Sequence, residues 1–386
     1  MLQGDDQLLS SGEEHLASGV PRDDHDAGIR EVVKWLQVGV RSLSSLHWGK
    51  FRFSRQNQGP GLGGHAATKL LLPVVFLVST QIVNGQGLRQ ALELRLGRLS
   101  AKSRSAVMLW DLPKNEPLAA VRAEVFATPR SLGSLVKPFL LLAYLNERCS
   151  GLASNLSEAL PCPSEDSASA VPAPLQPCAG RATPQCPVVC WYKPGHGSLG
   201  LIRALAVSCN QFFYQLSKHT SPEALLNTMA ALGVHTSGDL GGAAPLPPET
   251  MIGLDSNLRL VPLQVLKAYA TLIFGVPYGR AGDFASSALA RTILLSGLRL
   301  GAAEGTSTLA QRELPPHHFL LGKTGTSPAL RAGRYLRSMT DGWFLGFYPA
   351  AQPVLAIVVY YPGGLGAKEA APLGGQVIRM YLEMLR

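Results

Sequence analysis

Between residues 88 and 121, the order of hydrophobic and polar residues predicts a helix followed by a β-hairpin. From Leu88 to Ser105, leucines recur among arginines, and this spacing predicts an amphipathic helix. The apolar run Ala106–Trp110 predicts a strand, and the turn-forming residues 111–117 separate it from a second apolar run, Leu118–Val121. A helix followed by a β-hairpin is therefore expected here.

Further helices are predicted in the middle of the chain, and further strands near its C-terminus. In chain order the pattern predicts a helix at Phe139–Leu145, a helix at Leu199–Val207, a loop rich in Gly and Pro at 232–250, a strand at Phe319–Ser327, a loop up to Met339, a hairpin formed by Gly342–Tyr348 and Val354–Tyr361, and an amphipathic helix at Ala371–Leu385. The mixture of helices and hairpins indicates a protein that contains both helices and antiparallel strands.

Residues 1–87 have a different pattern from the rest of the chain. Residues 1–65 are polar and rich in Gly and Ser, which predicts a disordered extension upstream of the true start of the protein. An apolar core at 69–83, which begins with a lysine and ends in small residues, is typical of a secretory signal. We expect export to the periplasm or to the outer face of the cytoplasmic membrane; a buried strand or helix is the alternative.

The bulk composition is that of a globular protein with an ample core. Of the 386 residues, 46% are hydrophobic and 16% are charged, and the formal net charge is +9. A basic surface can contact anionic partners such as phospholipid or acidic wall polymers. The sequence has no zinc-finger spacing, no aromatic RNA-binding motif and no dense run of Lys and Arg, so no nucleic-acid partner is expected.

Residues 149–193 are a loop rich in Cys, Pro, Ser and Ala, with little helical or strand pattern. The loop holds all the cysteines except Cys209, and an even number of cysteines in an exported protein favours disulfides, whose pairing the sequence leaves open. A metal site formed by Cys186, Cys190 and His196 is less favoured, because the sequence offers no second clear ligand pair. We therefore expect disulfides to staple this loop, and neither a metal nor a cofactor.

Three short motifs carry candidate chemistry, and each occurs once. Ser134 and Lys137 are one helical turn apart at the start of an apolar run, which places a nucleophile beside a base. The N–H groups at a helix start also suit a developing oxyanion. The other two motifs, in chain order, are Ser208-Cys209-Asn210 and Lys323-Thr324-Gly325-Thr326.

This ordered trio resembles the signature of penicillin-binding proteins and class A β-lactamases. The segments Cys190–Gly197 and Gly342–Tyr348 also resemble segments of the penicillin-binding proteins, although Leu254-Asp255 stands where that family has Gln-Gly. The resemblance covers residues 104–386. It implies a penicillin-binding transpeptidase domain with an α/β fold of the α+β type, in which helices flank an antiparallel central sheet and an all-helical subdomain is added.

The resemblance also implies a role for each motif residue. Ser134 would attack the substrate, Lys137 would be its base, and Ser208 would relay a proton to the leaving amine. The remaining motif residues would bind the substrate: Asn210, Lys323, Thr324, Gly325 and Thr326. The implied substrates are the D-alanyl-D-alanine ends of peptidoglycan stem peptides, which β-lactam antibiotics mimic, and the implied partners belong to cell-wall synthesis. The expected function is a D,D-transpeptidase or D,D-carboxypeptidase that forms a serine acyl-enzyme.

Two other functions share this signature. A serine β-lactamase must deacylate quickly, and class A enzymes use a glutamate downstream of their Ser-x-Asn motif. Glu249 is the nearest analogue here, but no asparagine follows it at the expected place. A non-catalytic β-lactam sensor would keep its serine without turning over a stem peptide. Both functions stay open as alternatives.

Overall fold

The computed structural model describes residues 86–149, 175–184, 186–237, 246–275, 288–331 and 334–385. The predicted extension and signal-like segment lie outside the described residues, except for their last two positions, 86 and 87. Much of the predicted Cys- and Pro-rich loop, residues 150–174, also lies outside them.

Antiparallel strands from two distant parts of the chain form one central sheet. The strands are β1 (Ala106–Asp111), β2 (Glu116–Val121), β3 (Leu321–Arg331), β4 (Arg334–Tyr348) and β5 (Leu355–Pro362). Their order across the sheet is β2-β1-β5-β4-β3. Both predicted hairpins form, and β1 pairs with β5 to join them. The motif that begins at Lys323 therefore lies on an edge strand.

Strands β1 and β5 are apolar at nearly every position because both faces of the sheet are covered there. Successive residues of a strand point to opposite faces. On one face, residues such as Met108 and Val358 belong to a core shared with helices from the middle of the chain. On the other face, Leu109 and Ile357 pack with the first and last helices. Helices on both faces of an antiparallel sheet confirm the predicted fold class.

The helices fall into two groups, one on each face of the sheet. In the described residues the α-helices are α1 (86–101), α2 (Glu124–Ala127), α3 (Lys137–Cys149), α4 (Leu201–Ala206), α5 (Asn210–Ser217), α6 (Pro222–Ala231), α7 (Pro248–Met251), α8 (Pro262–Phe274), α9 (Ala288–Ala303), α10 (Thr308–Arg312) and α11 (Ala371–Met384). Helices α1 and α11 cover one face, and α3, α5 and α8 contribute to the core on the other. Among these helices, none has the length and apolar character needed to cross a membrane.

One loop prediction is wrong and another extends three residues too far, and proline explains both. The loop expected up to Met339 is mostly strand, since β3 continues to Arg331 and β4 begins at Arg334, with a register shift after Pro328. Proline cannot donate to a strand ladder, so Pro328 interrupts the strand pattern in the sequence without ending the hairpin. The loop predicted over 232–250 contains the start of α7, where proline occupies the first helical position.

Asp341 is buried on β4 and ties the β3–β4 hairpin to the neighbouring strand. Its carboxylate accepts hydrogen bonds from the Arg331 guanidinium at 2.8 and 3.0 Å and from the Tyr360 hydroxyl at 2.9 Å. It also accepts the backbone N–H groups of Leu330 and Gly363. Burial and the nearby Asp341 charge raise the pKa of Tyr360 to about 12. One carboxylate thus satisfies donors from four other residues.

Replacing Asp341 by alanine is expected to lower the free energy of unfolding by about 3 kcal/mol, because the donors around the carboxylate lose their acceptor in a buried place. Urea unfolding of the variant and the wild type measures this difference. The matched control is Glu93→Ala, which removes an exposed ion pair with Arg89 and should cost at most about 1 kcal/mol. Equal losses in the two variants would contradict the structural role given to Asp341.

Candidate active site

Ser134 lies on a 3-10 turn, Gly133–Val136, that runs directly into α3 at Lys137. Residues three apart are eclipsed in a 3-10 helix, so Ser134 still lies over Lys137 although it precedes the α-helix. The neighbouring residues of the turn are buried, whereas Ser134 is half-buried. Ser134 is therefore the residue of this turn that a substrate can reach.

Two glycines allow strand β3 to pass directly against this turn. Gly133 has a φ of +57°, and a Cβ atom there would lie 2.2 Å from the carbonyl oxygen of Thr326. A Cβ on Gly325 would lie 2.2 Å from the carbonyl oxygen of Leu132. Only glycine permits so close an approach of two backbones. The contribution of Gly325 is thus steric: it lets the third motif lie beside the turn that holds Ser134.

Lys137 connects the first motif to the second. Its side chain is fully buried, and Nζ donates to the carbonyl oxygen of Ser208 at 2.9 Å and to Oδ1 of Asn210 at 2.7 Å. In the described part of the chain, no hydrogen bond joins Nζ to Ser134 Oγ. Hydrogen bonds of catalytic groups are often long in a free enzyme and tighten when substrate binds.

Lys323 connects the third motif to the second. Nζ of Lys323 donates to Oγ of Ser208 at 2.7 Å and to the carbonyl oxygen of Thr324 at 2.9 Å. Ser208 itself has a φ of +53°, which is unusual for a residue other than glycine. The two lysines approach the same serine, one through its carbonyl group and the other through its hydroxyl. The three motifs therefore meet at Ser208.

Both lysines have a lowered pKa. Burial lowers the pKa of Lys137 to about 8, against the opposing influence of the Cys209 and Cys190 thiols. Burial also lowers the pKa of Lys323 well below its usual value, and the charge of Lys137 lowers it further. Two buried like charges disfavour each other, so the site favours a state in which one of the two amines is neutral.

Comparison with known families matches residues 182–379 to the penicillin-binding protein transpeptidase domain. The match covers just over half of the chain. The chain belongs to the penicillin-binding protein transpeptidase family. The matched region contains the second and third motifs and begins after the first, so the place of Ser134 and Lys137 in the site follows from the geometry above.

A sequence relative covers about half of this chain. Stage V sporulation protein D of Bacillus subtilis (strain 168) is 26% identical over 229 residues, which are 49% of this chain and 35% of that protein. The chain thus spans about a third of the length of this curated relative.

Solved structures of penicillin-binding proteins share the fold at low sequence identity. The apo transpeptidase domain of Burkholderia pseudomallei penicillin-binding protein 3 is 17% identical, with a TM-score of 0.56 over 78% of this chain and 95% of that one. Pseudomonas aeruginosa PBP2 in complex with WCK 5153 is 17% identical, with a TM-score of 0.56 over 77% and 74% of the chains. Helicobacter pylori PBP2 in complex with MreC is 19% identical, with a TM-score of 0.57 over 76% and 62%.

In this transpeptidase domain, both threonines of the third motif have partners that motif reasoning missed. The Thr324 hydroxyl donates to the Thr306 hydroxyl at 2.6 Å, and the N–H of Gly366 donates to Oγ1 of Thr326 at 3.0 Å. Neither partner belongs to a motif, and no pattern in the sequence connects them to the site. Thr326 is half-buried and Thr324 is buried, so Thr326 is the more accessible of the two predicted ligands.

The segment Leu254-Asp255, which departs from the family pattern, lies beside the Gly133–Val136 turn of the transpeptidase domain. The carbonyl oxygen of Asp255 accepts the hydroxyl of Ser131 at 2.8 Å, and its carboxylate accepts the hydroxyl of Thr250. A Cβ on Gly253 would lie 2.3 Å from the carbonyl oxygen of Gly133. This loop therefore contacts the turn closely, as strand β3 also does.

The cysteines differ from the sequence prediction. All the cysteines whose side chains the structure describes are free thiols: Cys178, Cys186, Cys190 and Cys209. The prediction that disulfides staple the loop is wrong for these cysteines, whereas Cys162 and the side chain of Cys149 lie outside the described residues.

Three of the thiols gather around His196. The sulfur atoms of Cys178, Cys190 and Cys209 and a ring nitrogen of His196 all lie within 4.8 Å of one another. The sequence argument considered Cys190 and His196 but missed Cys178 and Cys209, because the members come from separate segments and Cys209 lies inside the Ser-x-Asn motif. Cys186, which the sequence argument considered, does not belong to the group.

Proposed function

We propose that this chain is a D,D-transpeptidase or D,D-carboxypeptidase that acts on the D-alanyl-D-alanine ends of peptidoglycan stem peptides through an acyl-enzyme on Ser134. The observation that carries the proposal is the network in which Ser208 accepts hydrogen bonds from both buried lysines, Lys137 and Lys323. A serine hydroxyl needs a base within reach to act as a nucleophile at neutral pH. A buried amine with a lowered pKa supplies that base.

Acylation begins when the neutral amine of Lys137 takes the proton of Ser134. The serine oxygen forms a bond to the carbonyl carbon of the penultimate D-alanine, and the carbonyl electron pair moves to its oxygen. The N–H groups of Ser134 and Thr326 stabilise that oxyanion, an arrangement supported by the close passage of β3 along the turn. The oxyanion then collapses, and the bond to the terminal D-alanine breaks.

The leaving amine takes a proton from the hydroxyl of Ser208. The lysine pair replaces it with the proton removed from Ser134. Ser208 and the two lysines thus end the step with as many protons as they had at the start, and the net result is the transfer of the Ser134 proton to the leaving amine. Asn210 binds the amide of the substrate through the hydrogen-bonding capacity of its side chain that Lys137 does not use. Its Nδ2 donates a hydrogen bond to the carbonyl oxygen of Val189 at 3.2 Å. These hydrogen bonds fix the orientation of the groups that reach the substrate.

Lys323 and Thr326 bind the terminal carboxylate of the stem peptide. A carboxylate beside Lys323 favours its protonated form, which makes the contact charge-assisted. It also favours the neutral form of Lys137, because the two amines repel each other when both are charged. Substrate binding thus prepares the base for the reaction.

An amine or water then attacks the acyl-enzyme and regenerates Ser134. An amine from a second stem peptide gives a crosslink, and water gives a shortened stem. A β-lactam mimics the D-alanyl-D-alanine end, acylates the same serine and is released slowly. For cellular location we propose export, supported by the signal-like segment at 69–83. For partners we propose other cell-wall synthesis proteins, supported by the complex that Helicobacter pylori PBP2 forms with MreC.

The experiment that tests this function combines two assays on the full chain. Labelling by a fluorescent penicillin reports acylation and release, and release of D-alanine from a synthetic stem pentapeptide reports turnover, with a peptide ending in L-alanine as the control. A stable label together with D-alanine release supports the proposal. Rapid hydrolysis of the penicillin would replace it with a β-lactamase, and a stable label without turnover of any stem peptide would replace it with a sensor.

Acylation is expected to become faster as the pH rises through the pKa of Lys137. Burial lowers this pKa to about 8, and below it most molecules carry a protonated amine that cannot accept the proton of Ser134. The second-order rate constant for acylation by a chromogenic penicillin should therefore rise about tenfold per pH unit on the acid side and level off above the pKa. Melting temperatures measured over the same range separate this effect from unfolding. A rate constant that stays level or falls with rising pH would contradict the role of Lys137 as base.

A further inference from the structure

Cys178, Cys190, His196 and Cys209 form a group with the dimensions of a tetrahedral metal site. Nδ1 of His196 lies 3.5 Å from Sγ of Cys178 and 3.4 Å from Sγ of Cys190. The sulfurs of Cys190 and Cys209 are 3.8 Å apart. With Zn–S bonds of about 2.3 Å and Zn–N bonds of about 2.0–2.1 Å, the edges of a tetrahedron are about 3.8 Å between two sulfurs and about 3.6 Å between sulfur and nitrogen. These three distances match the edges of such a tetrahedron, and the other pairs of ligand atoms lie within 4.8 Å.

The orientation of the histidine ring suits a metal ligand. Its Nδ1 faces the thiols, while its Nε2 is buried and has no hydrogen-bond partner among the described residues. The ring packs against Trp191 and Tyr192, with centroid distances of 5.2 and 5.1 Å. These rings hold the imidazole in place, and a neutral imidazole with its proton on Nε2 would present the Nδ1 lone pair to an ion.

Hydrogen bonds between backbone groups bring the loop ligands together. Cys178 and Gly197 exchange two backbone hydrogen bonds, of 2.8 and 3.1 Å, and the N–H of Cys190 donates to the carbonyl of Gly180 at 3.0 Å. Cys209 comes from another element, as the residue that caps the N-terminus of α5. Because backbone contacts outside the thiols hold this arrangement, the ligands are placed before any ion binds.

We propose that Cys178, Cys190, His196 and Cys209 bind a structural zinc ion, and that this ion stabilises the conformation of the Ser208-Cys209-Asn210 turn. Three thiolates and one imidazole are a donor set that selects zinc over magnesium or calcium, which prefer oxygen ligands. Four protein ligands fill the tetrahedron, so the ion has no open position and does not take part in the reaction itself.

The link to the active site is the position of Cys209 between Ser208 and Asn210. Ser208 receives hydrogen bonds from both lysines, and Asn210 receives one from Lys137. The positive φ of Ser208 is a strained conformation that persists only where surrounding contacts enforce it. A Zn–S bond to the residue between them is such a contact. This part of the inference rests on the proposed function, whereas metal binding does not.

Cys186 provides a matched control. It is a buried cysteine of the same loop, yet its sulfur lies 3.9 Å from the carbonyl of Gln211 and outside the ligand group. The full chain, purified without chelator, should contain about one zinc ion, and Cys186→Ser should contain the same amount. Cys190→Ser and His196→Gln should each lose most of the metal, measured by elemental analysis.

A second measurement does not depend on the folding of these variants. Wild-type protein in which zinc has been exchanged for Co²⁺ should show the thiolate charge-transfer band and the intense visible bands of a tetrahedral cobalt–thiolate centre. A protein that takes up no metal and shows no such spectrum would overturn the proposal. So would a mass that shows a disulfide between Cys190 and Cys209 in place of metal binding.

The effect on the active site is measured by removing zinc from the wild type with a chelator. Acylation by a fluorescent penicillin should slow by at least about tenfold and recover when Zn²⁺ is restored. Full-rate acylation of the metal-free protein would overturn the positioning role of the ion. A zinc-loaded protein that is never acylated would instead overturn the proposed function, and zinc analysis and the cobalt spectrum distinguish that failure from the failure of the metal site.

Discussion

Replacing Ser134 by alanine is expected to abolish covalent labelling by a penicillin. The variant lacks the only oxygen that the proposed mechanism uses to form the acyl bond, so the rate of acylation should fall by at least about four orders of magnitude, to the limit of detection. Fluorescent-penicillin labelling of the full chain, followed over time, measures this loss.

Ser131 provides the matched control for this experiment. It lies on the approach to the same turn, but its hydroxyl donates to the backbone carbonyl of Asp255. Ser131→Ala should therefore be labelled, whereas Ser134→Ala should not. Labelling of Ser134→Ala at the wild-type rate would show that another residue is the nucleophile.

Replacing Lys137 by methionine is expected to slow acylation by about a thousandfold, which is within the usual range for the loss of a general base. Methionine keeps most of the volume of the buried side chain and removes the amine. The fold should persist, because an uncharged side chain suits this buried position. The second-order rate constant with a chromogenic penicillin measures the effect, and the melting temperature reports on folding.

Lys137→Arg separates the action of a base from that of a positive charge. Arginine keeps the charge but stays protonated in a protein, so it cannot accept the proton of Ser134. The account predicts that the arginine variant is as impaired as the methionine variant. Recovery of the wild-type rate with arginine would show that Lys137 acts by its charge alone.

The sheet could be predicted wherever the chain is apolar on consecutive positions. β1 and β5 are covered by helices on both faces, so nearly every residue in them is apolar and each reads as a strand. The outer end of the β3–β4 hairpin could not be predicted, because Pro328 and the polar residues after it resemble a loop. The pairing there depends on Asp341, whose buried contacts with Arg331 no local pattern shows.

The candidate site could be predicted only as far as its members form ordered motifs. Ser134, Ser208 and Lys323 each belong to a short pattern, and the structure brings these patterns to one place. The supporting contacts of Thr306 and Gly366 could not be predicted, because they arise only when distant segments pack together.

The group of Cys178, Cys190, His196 and Cys209 could not be predicted either, because it too forms only when distant segments pack together. Sequence reasoning looked for ligand pairs at short spacing within one loop, and Cys186 and Cys190 fitted that search better than Cys178 or Cys209. Only the packing of the loop on α5 shows that Cys209 belongs with the loop cysteines. Cys209 also occupies the variable position of the Ser-x-Asn motif, so the motif gives no indication that this residue is a metal ligand.

The central claim is that Ser134 forms a covalent acyl-enzyme, and intact-mass spectrometry of the full chain tests it most directly. After incubation with a penicillin, the account predicts a mass increase equal to one drug molecule per chain, and proteolysis should place it on the peptide that contains Ser134. An unchanged mass, or an adduct on a peptide that lacks Ser134, would contradict the account.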